Sequence, residues 1–320
     1  MKKKSKMTPK HNYFKSKKRL KESYLKIKGF KMHYLYIDRQ RKDIRSQRSE
    51  VRSQKTDVRK AKIEASYPVI LIHPFSGSLA NWVFNIHSLS RHFKIITFDL
   101  PGYGFSYFKG KEIKYSLSLF SEILAEVMEN LKIKRASLVG NSLGGQVALS
   151  TAIRYPQKIH KLILVDSAGV IPFPLPLREA IKLGINFSSP FLPLVPPPKF
   201  VVRAMVNLCF YQPSKVSERL AQDIVEYLAK IDYLKWSKVL SQTFYTIIDE
   251  DLRRDVHKIK APTLIIWGRQ DRLIWLCDAY YLRNKIKDSK LVVLDKCGHF
   301  PQMEKPREFN QALINFLLES

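Results

Sequence analysis

Short, nearly unbroken apolar runs recur along this chain at intervals that leave room for a helix between them. Pro68-Val69-Ile70-Leu71-Ile72, Lys94-Ile95-Ile96-Thr97-Phe98, Arg135-Ala136-Ser137-Leu138-Val139, Leu162-Ile163-Leu164-Val165, Thr263-Leu264-Ile265-Ile266-Trp267 and Leu291-Val292-Val293-Leu294 each read as a strand buried on both faces. Ser116–Asn130, Gln146–Ile153 and Arg307–Leu318 carry the apolar spacing of helices. Alternation of this kind predicts an α/β domain whose parallel sheet has helices on both faces. Nearer the N-terminus, Ser23–Ile27 and Met32–Ile37 alternate as a hairpin turning at Gly29, which brings the expected sheet to eight strands.

Between Gly169 and Ala261 the strand rhythm stops. Pro172, Pro174, Pro176, Pro190, Pro193 and Pro196-Pro197-Pro198 break this stretch into short pieces, and Phe200–Phe210 and Ser217–Tyr233 read as helices. The expected organisation is therefore a basic tail over 1–22, a first core segment over 23–169, a helical lid over 170–258 and a second core segment over 259–320. The lid is strongly apolar around Phe187, Phe191, Leu192, Leu194 and Val195. Packing onto the core accounts for most of these residues; lining a pocket for an acyl or aromatic group is the functional alternative. Its prolines exclude a membrane-spanning helix there.

Within the first segment, about 39–64 is an insertion containing a seven-residue repeat. Asp43-Ile44-Arg45-Ser46-Gln47-Arg48-Ser49 returns as Glu50-Val51-Arg52-Ser53-Gln54-Lys55-Thr56. One apolar residue per unit gives no coiled-coil seam, so the repeat reads as a solvated insertion between strands.

The formal charge of +28 suggests a nucleic-acid partner until it is located. Residues 1–62 hold 23 Lys and Arg against 5 Asp and Glu, so most of the excess lies in the tail and insertion. No nucleic-acid-binding motif accompanies it. Weak attraction of the basic N-terminus to an anionic membrane surface is the partner reading it supports, beside a small-molecule ester substrate. Cys209, Cys277 and Cys297 fit neither metal nor disulfide spacing, and no metal or organic cofactor is implied. The N-terminal lysines precede no apolar run, so no secretory signal is read and a cytoplasmic location is expected.

The chemistry centres on Gly140-Asn141-Ser142-Leu143-Gly144, between a predicted strand and a predicted helix. A serine on so sharp a strand-to-helix turn is strained, and a side chain two positions before or after it would collide across the turn. The turn is a nucleophile elbow, which exposes the hydroxyl and aims the Leu143 N–H at the substrate. A base and an orienting carboxylate follow at strand ends: Asp271 after the strand ending at Trp267, and His299 after the one ending at Leu294. Asp166, after the strand ending at Val165, is the alternative acid. The strand ending at Ile72 leads into His73-Pro74-Phe75, where Phe75 and Leu143 would supply the two N–H donors of an oxyanion hole. His73, Gly140 and Gly144 are supporting residues, and Asp99 and Ser106 read as turn formers bonding local backbone.

Gly-Asn-Ser-Leu-Gly-Gly, Trp-Gly-Arg-Gln-Asp-Arg and Cys-Gly-His-Phe-Pro-Gln-Met-Glu-Lys-Pro together resemble the α/β-hydrolase superfamily, in its lipase, esterase and peroxidase-like branch. The resemblance covers roughly 66–169 and 260–319 and implies a Ser142–Asp271–His299 triad under an inserted lid. Asn141, the Trp-Gly-Arg loop and Cys-Gly-His are also similar to the carbon–carbon bond hydrolases of aromatic ring cleavage. Those enzymes carry a glycine-rich oxyanion loop, and Pro74 departs from it. The expected function is thus a serine hydrolase of carboxylic esters with apolar acyl or alcohol groups, acting through an acyl-enzyme. Carbon–carbon hydrolysis and acyl transfer on the same triad are the alternatives.

Overall fold

A computed structural model describes residues 21–38, 67–110, 112–170, 198–213 and 233–319, together with positions 176, 179 and 183. The six apolar runs all form strands. In chain order the sheet uses β1 (Lys21–Ile27), β2 (Phe30–Ile37), β3 (Val69–Ile72), β4 (Ile95–Phe98), β5 (Tyr107–Phe108), β6 (Ala136–Asn141), β7 (Ile159–Val165), β8 (Thr263–Gly268) and β9 (Ser289–Leu294). Their spatial order is β1-β2-β4-β3-β6-β7-β8-β9, with β5 paired to β2 beside this path. Pairing is antiparallel from β1 to β4 and parallel from β4 through β9. The expected eight strands make the main path; the ninth, β5, was not foreseen because two residues carry no readable period.

β1 starts at Lys21, inside the stretch read as tail, and turns into β2 through Lys28 and Gly29, both at positive φ. Alternate side chains of the parallel strands feed two cores. Ile70, Ile72, Leu138 and Leu164 face one side, where they meet α2 (Leu117–Asn130), α3 (Leu143–Arg154) and α6 (Leu276–Lys285). Val69, Leu71, Val139 and Ile163 face the other, against α1 (Val83–Leu89) and α8 (Pro306–Leu318). A short helix, α7 (Pro301–Glu304), precedes α8.

Of the stretch expected to form a lid, the described parts are α4 (Lys199–Cys209) and α5 (Tyr233–Asp249), with the segments flanking them. The helix expected over Ser217–Tyr233 falls outside the described residues except for Tyr233, which opens α5; the repeat and residues 1–20 also lie outside. Both helices are fastened to the core. Val202 and Val206 of α4 and Phe210 just after it pack on Phe300 and Met303, while Gln242 on α5 and Glu250 just beyond it accept the N–H groups of Tyr115 and Leu117. Among the described residues no helix is long and apolar enough to cross a membrane.

Candidate active site

β6 ends and α3 begins at one residue, Ser142, whose φ of 55° and ψ of −117° lie far from either regular conformation. Such a backbone costs a non-glycine residue of order 1–3 kcal/mol and persists only where its surroundings impose it. Here the Ser142 N–H donates to Val165 O (3.0 Å), and Ser142 O accepts from Gln146 (3.0 Å) and Ala168 (3.2 Å). The flanking glycines serve two different contacts. A Cβ on Gly140 would stand 2.1 Å from Gly144 O, a collision across the turn. One on Gly144 would meet Ile72 O at 2.3 Å and His73 O at 2.7 Å, so its clash is with the end of β3 rather than with the turn. Gly144 therefore brings the start of α3 against the loop that carries Phe75. Leu143, first in α3, keeps a backbone N–H with no intrahelical partner.

His299 Nδ1 lies 2.8 Å from Asp271 Oδ2, both side chains buried. This bond places the ring proton on Nδ1 and leaves Nε2 to accept. Asp271 Oδ1 accepts the N–H groups of Leu273 (2.8 Å) and Ile274 (3.2 Å). Burial pushes the Asp271 carboxyl up, but the His299 ring and these hydrogen bonds outweigh it and hold the group below its ordinary value.

The segment around His299 is tied on every side. Asn141 Nδ2 donates to His299 O (3.2 Å), and Gln302 Nε2 donates to Asn141 Oδ1 (3.0 Å), which links the residue before Ser142 to the His299 segment. The His299 N–H donates to Cys209 O at the end of α4 (2.8 Å). Glu304 takes the N–H of Gly298 (2.8 Å) and Phe300 (3.4 Å) on Oε1 and that of Tyr211 (2.7 Å) on Oε2. Asn141 and Glu304 stand in the sequence only as parts of family-like motifs; the partners of Asn141, and Tyr211 among those of Glu304, are too distant in sequence for spacing to reveal.

His73 Nδ1 donates to Pro74 O (2.7 Å) and its Nε2 accepts the Leu100 N–H (2.9 Å), a neutral ring pinning the Phe75 loop to the end of β4. Burial lowers its pKa. Asp99 bonds the N–H groups of Leu79 and Phe105, and it also meets the buried His33 ring at 2.7 Å. His33 sits on the face of β2 that carries Leu35 and Ile37, and its other nitrogen reaches Glu22 (2.7 Å). Burial lowers the His33 pKa, yet the hydrogen bonds and charges of Asp99 and Glu22 outweigh it, and the net shift is upward. The folded state thus binds this proton more tightly than the unfolded one. Its contribution is complete below the unfolded value of about 6.5 and is lost as pH rises through the raised folded value. The melting-temperature gap between wild type and His33→Gln should accordingly be widest near pH 6, about the unfolded value, and narrow as pH rises. A gap that widened with pH would overturn the charged His33–Asp99 pair.

Burial pushes the Cys209 thiol up to about 12 and the Cys297 thiol higher, so neither offers a thiolate beside His299. Asp166, Asp271 and His299 present ligand atoms within 4.8 Å of one another, a set that could hold a cation. Their hydrogen bonds oppose it: Nδ1 of His299 is committed to Asp271, and Asp166 Oδ1 accepts the Gly268 N–H at 3.0 Å.

A strained residue at the turn from β6 into a helix, with a buried His–Asp pair after β8 and β9, is the arrangement of the α/β-hydrolase fold. The chain matches the family model of the α/β-hydrolase fold over residues 67–192 and 202–306, and it belongs to that family. It is similar to the 2-hydroxy-6-oxo-2,4-heptadienoate hydrolase of Pseudomonas putida F1, 30% identical over 80% of this chain and 90% of the relative. The mouse monoacylglycerol lipase ABHD6 is 29% identical over 78% of this chain and 75% of its own. In fold it resembles the meta-cleavage product hydrolase CumD of Pseudomonas fluorescens IP01, with a TM-score of 0.72, 24% identity and coverage of 92% of this chain and 96% of that one. The protein is a hydrolase.

Proposed function

We propose that this enzyme cleaves carboxylic esters of apolar acyl or alcohol groups through an acyl-enzyme on Ser142. The observation that carries the reading is the strained Ser142 backbone, joined through Asn141 to the buried His299–Asp271 pair. His299 Nε2 takes the Ser142 proton as Oγ attacks the ester carbonyl, and Asp271 stabilises the imidazolium. The N–H groups of Phe75 and Leu143 receive the oxyanion. The tetrahedral intermediate collapses, His299 protonates the departing alcohol, and water repeats the sequence to release the acid.

Two features support an uncharged ester over an anionic dienoate of the kind the Pseudomonas relative's name specifies. The ionisable groups gathered around His299 are acids, Asp166, Asp271 and Glu304, and Lys161, the one buried Lys or Arg among the described residues, donates instead to the carbonyls of Phe316 and Leu317. The Phe75 side chain, beside the proposed oxyanion donor, packs on Phe244 of α5 with ring centroids 5.7 Å apart, an apolar wall. The similarity to dienoate hydrolases favours carbon–carbon cleavage as the second reading. A p-nitrophenyl ester series from acetyl to palmitoyl, run beside a 2-hydroxy-6-oxo-dienoate, separates them. Release that depends on Ser142 and peaks at one chain length is expected. Consumption of the dienoate without release from any ester would transfer the assignment.

A further inference from the structure

Asp166, just past the end of β7, is another strained non-glycine residue beside the site, with φ of 40°. Its N–H donates to Ile266 O (3.1 Å), and the turn it opens is bonded to the elbow through Ala168 N–H and Ser142 O (3.2 Å). The carboxyl is fully buried. Oδ1 accepts the Gly268 N–H at 3.0 Å, while Oδ2 receives a hydrogen bond from no described donor. What it faces is Asp271: a carboxylate oxygen of each lies within 4.8 Å of the other, both groups buried. Two carboxylates in buried contact do not both ionise. The donors available to each decide which keeps the proton. Among the described residues Asp271 accepts from the His299 ring and from the N–H groups of Leu273 and Ile274, whereas Asp166 accepts from Gly268 alone.

We propose that Asp166 is a neutral carboxylic acid whose Oδ2–H donates to Asp271, a positioning residue for the Asp271–His299 pair. The proposal rests on the reading of Asp271 as the triad's orienting carboxylate. A carboxylate has about four lone-pair sites, and the Asp166 hydroxyl fills the one that three N–H donors leave and burial denies to water. The proton stays on Asp166 throughout turnover. By donating, Asp166 keeps Asp271 weakly basic, so Asp271 remains ionised when His299 carries the serine proton. Burial and the Asp271 charge raise the Asp166 pKa well above the carboxylate range, the same direction.

Asparagine reproduces a protonated aspartic acid, with one oxygen for Gly268 and one N–H for Asp271. In the full-length enzyme Asp166→Asn should keep kcat within about threefold of wild type and leave the acidic limb of the kcat/KM profile in place. Asp166→Ala should lower kcat about 10- to 100-fold, the scale of a lost buried hydrogen bond, with KM little changed. Its acidic limb should move to higher pH, because Asp271 becomes more basic and stabilises the imidazolium more. Infrared difference spectra at neutral pH supply a readout that needs no substrate and tolerates a poorly folding alanine variant. Wild type minus Asp166→Asn should show the C=O stretch of a protonated carboxylic acid; Asp278, raised to about 6, contributes to both spectra and cancels.

The absence of that band overturns the proposal, as does an Asp166→Asn limb displaced to lower pH, the mark of a lost negative charge. Wild-type activity in Asp166→Ala would also overturn it. Failure of the triad reading is distinguishable, since it would appear as activity surviving His299→Ala while the infrared band still reports on Asp166.

Discussion

Ser142→Ala should abolish ester turnover, lowering kcat by about 10⁴-fold or more, while the melting temperature stays near that of wild type. Ser142 Oγ makes no hydrogen bond to any described residue, and the strained backbone is imposed by Val165, Gln146 and Ala168, which alanine leaves in place. Removing the hydroxyl therefore costs chemistry and little else. His299→Ala should fall as far, but with a measurable loss of stability, because Asp271 would be left buried with one donor fewer. The double variant should be no worse than either single one, since nucleophile and base act as a unit. Steady-state kinetics on the preferred p-nitrophenyl ester, with a covalent serine-directed phosphonate to count live sites, makes the comparison. Activity near wild type in either single variant would remove the triad.

Asp271→Asn should cost about 10³- to 10⁴-fold in kcat, and the reason lies in its four-sided environment. With the amide oxygen toward His299, the NH2 group faces the backbone N–H groups of Leu273 and Ile274, donor against donor. Turned the other way, the NH2 faces the ring and forces the proton onto Nε2, the nitrogen that must accept from serine. Neither orientation restores the pair. The contrast with Asp166→Asn is diagnostic: one carboxylate does not tolerate the amide, and the other is mimicked by it. Were the two outcomes exchanged, Asp166 would be the working acid.

Much of this arrangement was legible in the chain. Runs such as Val69–Ile72 and Thr263–Gly268 are buried on both faces, and their shortness and β-branched residues mark them as strands. The elbow was legible because Gly140 and Gly144 leave a signature that ordinary loops seldom repeat. Helix α6 was not: Leu276–Lys285 buries Asp278, Ala279 and Leu282 but spreads its polar residues around the axis, so no stripe emerges. His33 was missed for a different reason. A polar residue on a half-buried strand reads as an outward position, and its partner Asp99 lies 66 residues away. Asp166 was recognised as a carboxylate at a strand end, but its protonation depends on how many donors the fold brings to each of two acids, which spacing cannot express. The stretches over 43–63 and most of 171–197 fall outside the described residues.

The bond from the His299 N–H to Cys209 O, with the bridge from Glu304 to Tyr211, bears on engineering. Exchanging lids between members of this superfamily is an obvious route to new selectivity. In this protein a graft junction between α4 and the core puts at risk two of the supports that hold the His299 segment. A transplanted lid whose backbone at 209–211 follows another path would take this carbonyl and N–H away and lose the register of His299, and the chimera would bind its new substrate without turning it over. Keeping Cys209-Phe210-Tyr211 native and splicing before Val206 preserves both.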